Sequence, residues 1–266
     1  MRADLPWIDT HCHLDAAEFD ADRDEVIEAA GAAGVKHIVI PAVDPQNFAV
    51  VAALAKRVPG ARYALGIHPL ASLKAGEAEL LVLDQALTSA RDDPALVAVG
   101  EIGLDLFVDE LKTEAARAHQ EWLFGEQLRL ARHHQLPVLL HIRRAQDRVL
   151  KALRGYPGVV GIAHAFNGSA QQAGFFMDLG FKLGIGGAMT FERALNIRRI
   201  AKEVPLDALV LETDAPDIAP AWRYKSRNTP AEIPAIALAL AALREVPIEV
   251  IANATAGNAR AILPRL

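Results

Sequence analysis

Residues 137–164 read PVLLHIRRAQDRVLKALRGYPGVVGIAH. The stretch opens on a short apolar run, Pro137–Ile142, crosses a segment with helical spacing, Ala145–Gly155, and returns to a second apolar run, Val159–His164. Neither run alternates cleanly with polar residues, as expected of strands covered on both faces. A strand, a crossover helix and a further strand within about 30 residues is the unit from which parallel sheets are built.

The same unit recurs in both directions. Apolar runs stand at Trp7–His13, His37–Ala42, Arg62–His68, Leu96–Ile102, Phe181–Gly186 and Ala208–Asp214. Helical spacing fills the gaps at Asp22–Ala33, Pro45–Arg57, Glu77–Arg91, Glu114–Gln135, Ser169–Gly180 and Phe191–Glu203. Pro45, Ser169 and the glycines at 34, 155 and 180 fall where helices start and stop. Eight runs without a linker or composition break predict an α/β fold, a single (β/α)8 TIM barrel over residues 1–266, at the usual size of about 250 residues. An open, doubly wound sheet is the alternative.

Composition agrees and excludes several classes. At 52% hydrophobic, the 266 residues bury a large core. With 28 basic and 33 acidic residues the net charge is −5, which excludes a nonspecific nucleic-acid binder held by a basic surface. Any phosphate recognition must be local. The lone cysteine, Cys12, fits a reducing cytosol, and neither a leader pattern nor a long apolar run stands in the sequence. A soluble, cytoplasmic protein is expected, with the alanine-rich stretch Ile236–Leu243 as a buried helix face. No obligate protein partner is evident.

The ionisable residues gather at the predicted strand ends, on the face where barrel active sites form. His11 and His13 end the first run, Glu101 the fourth, His141 the fifth, His164 the sixth and Asp214 the eighth. Residues two apart on a strand share a face, so His11 and His13 can approach one metal while Cys12 points away. Six such groups packed at one barrel mouth without a cation would carry a large desolvation cost. Four histidines and two carboxylates suit two divalent ions, with Glu101 as the bridge. One ion would take His11, His13, Glu101 and Asp214; the other Glu101, His141 and His164. Such ion pairs, about 3.5–4 Å apart, activate water and hold both oxygens of a hydrolysed ester. Four imidazoles favour Zn²⁺, Mn²⁺, Fe²⁺ or Ni²⁺ over Mg²⁺.

These residues sit in DTHCHLD (9–15), GIHP (66–69), VGEIGLD (99–105), PVLLHIR (137–143), HAFNG (164–168), ETDAPD (212–217) and RNTP (227–230). In content and order the chain resembles, nearly end to end, the TatD-type metal-dependent hydrolases, or TatD DNases, among the amidohydrolase-like barrels. AVGEIGLDLF and KLGIGG are most similar to the YjjV-like branch. The resemblance implies the same six ligands, a deoxyribonuclease activity on short or single-stranded DNA, trimming from a 3′ end, and dependence on magnesium. Ala165 and Thr229 depart from the family's usual Cys or Gly and acidic residue, and GLDLF replaces GLDYY. Lost aromatics would weaken base stacking, worth about 1–3 kcal/mol per base.

In the resulting scheme the ions acidify a water, and Asp214 takes its proton during attack on phosphorus or a carbonyl. Asp105 is expected either to orient a ligand histidine or Arg143, or to cap a turn. By the likeness His68 contacts substrate, and Arg143, two residues past His141, holds an anionic oxygen. Arg223 and Arg227, in the loop Trp222–Arg227, are further candidate substrate contacts, and the run Gly184–Gly187 could admit a phosphate. His37, His119, His133 and His134 are expected away from the mouth. A metal-dependent carboxylic-ester or amide hydrolase is the alternative activity, and a metal-binding protein without activity a third reading.

Overall fold

The structure is a computed structural model and describes residues 5–266. Eight strands pair in chain order, each parallel to the next: β1 (Trp7–Asp9), β2 (Val35–Pro41), β3 (Ala61–Leu65), β4 (Leu96–Asp105), β5 (Val138–Arg143), β6 (Gly161–Ala163), β7 (Lys182–Ile185) and β8 (Leu209–Leu211). The circle closes between the first and last strands by backbone contacts beyond their regular segments. Thr10 N donates to Leu211 O at 3.0 Å, Asp214 N to His11 O at 2.9 Å and His13 N to Ala215 O at 2.8 Å, beside a parallel bridge between Cys12 and Ala215. The fold is a (β/α)8 barrel.

The connecting helices are α1 (Arg23–Ala32), α2 (Phe48–Arg57), α3 (Glu77–Ser89), α4 (Glu114–His134), α5 (Gln146–Leu153), α6 (Ala170–Asp178) and α7 (Leu195–Glu203), with α8 (Ile233–Arg244) and α9 (Ile248–Ile262) after the last strand. Local sequence fixes their ends. The Thr113 hydroxyl accepts from Ala116 N at the start of α4, and Ser169 and Gln172 form a reciprocal capping box on α6. Pro45 opens a 3-10 turn capped by Asp44, which leads into α2. Ile236, Ala237, Leu240 and Ala241 put the alanine-rich stretch against the core as a buried face of α8.

Two apolar clusters result. One lies between strands and helices; the other fills the barrel, where Ile8, Val39, Ala64, Val97, Ala98, Leu139, Ile162 and Val210 meet Ala256, Ala259 and Ile262 of α9. Asn258 ties α9 to the start of β8 by donating to Leu206 O and Leu209 O at 2.9 and 2.7 Å. The inward stripe then continues by the strand period of two. Leu139 leads to His141, Ile162 to His164, and Val210 to Glu212 and Asp214. The apolar plug therefore gives way to polar groups at the carboxyl end.

Several strand bounds differ from expectation. The first ends at Asp9, not His13, because the Asp9 carboxylate takes His11 N (3.2 Å) and Thr213 N (3.0 Å), which removes them from the regular ladder. The sixth and eighth are also shorter, and β4 runs on to Asp105, past Ile102, paired with β5 as far as Arg143. Gly103 permits this close pairing, since a Cβ there would lie 2.0 Å from His141 O.

Candidate metal centre

The strand ends bring His11, His13, Glu101, His141, His164 and Asp214 together, and His68 with them. Glu101 stands at the middle. Its Oε2 lies 3.1 Å from His11 Nε2 and 3.4 Å from His13 Nε2; its Oε1 lies 3.0 Å from His141 Nδ1 and 3.6 Å from His68 Nε2. The Asp214 Oδ1 atom is 3.7, 3.8 and 3.6 Å from the Nε2 atoms of His11, His13 and His164. His164 Nε2 is 4.0 Å from Glu101 Oε1, and its ring stacks on that of His11 with centroids 3.6 Å apart. His68 Nε2 is 3.0 Å from His141 Nδ1, so it sits within the cluster, while its Nδ1 accepts from Leu70 N.

A surrounding layer fixes these side chains. Asp105 does both things considered for it. Its Oδ2 lies 3.1 Å from His141 Nε2 and 3.9 Å from Arg143 Nη1, while its Oδ1 accepts from Phe107 N and Val108 N. Glu212 was not anticipated. Its Oε1 lies 3.1 Å from His164 Nδ1 and accepts from Ala165 N at 2.6 Å. The signal was in ETDAPD, because position 212 shares a strand face with 214. Asp9 is the other addition: besides the two backbone amides, it accepts from the Thr213 hydroxyl at 2.5 Å, locking the two strands that carry His11 and Asp214.

Burial governs the electrostatics of these groups. It raises Asp9 to about 8 and Asp214 to about 6, against the hydrogen bonds and histidine charges that pull them down. It lowers His11 to about 3, reinforced by the neighbouring His164. For His13 burial is outweighed by the Glu101 contact, and the ring is raised to about 9; for His164 it is outweighed by Glu212 and Asp214, with a rise to about 10. Glu101, despite complete burial, is held well below the usual carboxylate range by His11, His68 and His13.

The donors fit divalent cations. Three groups, His11/His13/Glu101, His68/Glu101/His141 and His11/His164/Asp214, each place one candidate ligand atom per residue within 4.8 Å of the others. His11 and His13 turn ring nitrogens toward each other at 3.3 Å, and only one proton can lie between them. A cation satisfies both lone pairs and the carboxylate charge together.

The cluster forms the floor of a cavity of about 920 Å³, whose lining includes Phe107, Arg143, Arg144 and Ile218. Arg223 and Arg227 are not among the lining residues. Arg227 instead forms a two-pronged pair with Asp22 (2.8 and 2.5 Å) and covers the Phe19 ring, and Arg223 pairs with Glu232 at 3.0 Å. The run Gly184–Gly187 reaches the cavity through Gly184 and Gly186 and packs closely on Glu212, since a Cβ on Gly184 would lie 2.0 Å from Glu212 Oε2. His37, His119 and His134 bond to Gly60 O, to the carbonyls of Ser72 and Ala75, and to Asp84, away from the cluster.

Comparison with known proteins agrees with this geometry. The family model described as TatD related DNase matches residues 8–264. The "Uncharacterized metal-dependent hydrolase YjjV" of Escherichia coli K12 is 41% identical over 253 residues, 95% of each chain. The "3'-5' ssDNA/RNA exonuclease TatD" of Salmonella typhimurium is 32% identical, over 96% of this chain and 97% of its own. The crystal structure of YjjV, the TatD homolog from Escherichia coli K12, superposes with a TM-score of 0.91 at 40% identity, covering 98% of this chain and 99% of that one. By a match that spans the whole barrel, the chain belongs to the TatD-related DNase family and is a metal-dependent hydrolase.

Proposed function

We propose that the chain is a phosphodiesterase that uses two divalent ions to remove nucleotides from the 3′ end of single-stranded DNA. The observation that carries this reading is the two-sided Glu101, with one oxygen toward His11 and His13 and the other toward His141 and His68. A carboxylate so placed suits a bridge between two cations. In this reading His11, His13, Glu101 and Asp214 hold one ion, and Glu101, His141 and His164 hold the other. Zinc, manganese and magnesium are the candidates, and such ions supply Lewis acidity toward the phosphate and acidify water.

The protein's own groups do the rest. Asp214 opens onto the cavity and takes the proton released as water attacks phosphorus, while the bond from phosphorus to the sugar oxygen of the shortened strand breaks and that oxygen departs as a hydroxyl after taking up a proton. Asp105 and Glu212 hold the rings of His141 and His164 in place. His68 and Arg143 line the cavity and grip oxygens of the substrate phosphate, while Arg223 and Arg227, engaged with Glu232 and Asp22, shape the loop after β8. A net charge of −5 favours short or single strands over long duplexes. The exonuclease name carried by the Salmonella relative lends support. The lone cysteine, Cys12, suits a reducing compartment such as the cytoplasm.

The test is a 5′-labelled single-stranded oligonucleotide incubated with chelator-stripped protein resupplied with Mg²⁺, Mn²⁺ or Zn²⁺. Metal-restored, stepwise shortening that falls by roughly 10²-fold or more in Asp214→Asn is expected. Intact DNA with metal bound would instead favour a carboxylic-ester or amide hydrolase.

A further inference from the structure

At the mouth of the cavity, Phe107 is enclosed by cations. The guanidinium carbon of Arg143 lies 3.9 Å from the ring centroid, that of Arg144 4.6 Å, and Lys112 Nζ 5.7 Å. Neighbours on a strand normally point to opposite faces. Arg144 escapes that rule because it adopts a left-handed backbone, with φ of 56°, immediately after β5, and its side chain returns to the ring that Arg143 already covers. Two guanidiniums brought to one ring repel each other. The ring holds both through cation–π attraction and so fixes their separation before any ligand arrives.

Little in the protein neutralises this charge. Among the described residues Arg144 makes no ion pair, and the one carboxylate near Arg143, Asp105, is 3.9 Å away and already closer to His141. Lys112 is paired with Asp109 at 2.5 Å, which leaves Arg144, among the described residues of this group, as the cation without a carboxylate partner. In a chain of net charge −5, two arginines lining the cavity that holds the ligand cluster mark a site for anion beyond the scissile group.

We infer that Arg144, held beside Arg143 on the Phe107 ring, forms a second phosphate subsite, which holds the penultimate phosphate of a nucleic-acid strand while Arg143 holds the terminal linkage over the cluster. The inference rests on the nuclease reading and adds to it a requirement for at least two neighbouring phosphates. Asp105 links the parts: it touches His141 on the cluster side and approaches Arg143 on the subsite side. Both guanidiniums lie within reach of one ring, close enough to take adjacent phosphates of one strand. Arginine suits the role, since its planar fork donates two hydrogen bonds to one phosphate.

The experiment compares a short single-stranded oligonucleotide with the same oligonucleotide carrying an uncharged methylphosphonate at its penultimate linkage. Removal of the last nucleotide is measured for the metal-loaded enzyme and for Arg144→Gln. The wild type is expected to prefer the charged substrate in kcat/KM by roughly ten-fold, the scale of one charge-assisted hydrogen bond, chiefly through KM. In Arg144→Gln most of that preference should vanish. Phe107→Leu, which keeps bulk but removes the ring, should reduce it as well. A wild type that degrades both substrates without preference, or an Arg144→Gln variant that keeps the full preference, overturns the subsite and leaves the nuclease reading standing. A wild type that degrades neither oligonucleotide with metal bound overturns both.

Discussion

The Glu212 carboxylate lies 3.1 Å from Nδ1 of His164, opposite the ring nitrogen that faces Asp214 and Glu101. One histidine thus has a carboxylate at each end. A carboxylate beside Nδ1 draws the proton to that side and turns Nε2 toward the cluster, so Glu212 favours the ligating orientation of the ring. Glu212→Gln is therefore predicted to weaken metal binding by roughly 10–100-fold, with a smaller change in melting temperature of the metal-stripped protein. Titration against a competing chelator measures the first, and a thermal melt in chelator the second. Equal metal affinity in variant and wild type would remove Glu212 from the site.

Arg227 gives a contrasting prediction. Its guanidinium meets both oxygens of Asp22, also bonds Glu18 O at 2.5 Å, and lies 4.7 Å from the Phe19 ring, so it joins the loop after β8 to the start of α1. Arg227→Ala should lower the melting temperature by a few degrees through lost packing and pairing, and leave KM for an oligonucleotide within about two-fold. A large rise in KM with unchanged stability would restore Arg227 as a substrate contact.

Acid sensitivity is predicted at a point remote from the cluster. Burial holds His37 below its ordinary 6.5, with the charges of Arg62 and Arg260 acting the same way and its hydrogen bond to Gly60 O opposing them. A histidine depressed in the folded state contributes stability that is present above about 6.5 and is lost as pH falls through the folded value. His37→Asn keeps an N–H donor for Gly60 O and carries no charge. Denaturant titrations of chelated protein at pH 7.5 and 5 should show a smaller loss of stability for the variant than for the wild type. An equal loss would place the acid sensitivity elsewhere.

Much of this was legible in the sequence because the strand period and the chemistry coincide. Apolar runs such as Pro137–Ile142 ended on ionisable residues, and a parallel barrel sends those ends to one mouth. Less legible was anything decided by a side chain that replaces a backbone partner. Asp9 accepts two main-chain amides and shortens the first strand, which a hydrophobic pattern does not record. Glu212 lay within a quoted motif, yet its role depends on where β6 and β8 place His164, a relation between positions far apart in the chain. Arg144 was hidden for a different reason: the strand rule points it away from Arg143, and only its left-handed φ reverses that. Arg223 and Arg227 had the opposite fault. Composition suggested free charge, and the fold supplies Asp22 and Glu232 as partners.

The most direct test of the account is a count of metal ions per chain. Chelator-stripped wild type and Glu101→Gln are each resupplied with Zn²⁺ or Mn²⁺, freed of excess by gel filtration and analysed for metal and protein. If Glu101 joins two cation sites, the wild type retains two ions per chain, and Glu101→Gln, whose amide cannot bridge, loses affinity for both together. A wild type that saturates at one ion, or a Glu101→Gln variant that still binds two, would contradict the shared-carboxylate centre on which the proposed chemistry rests.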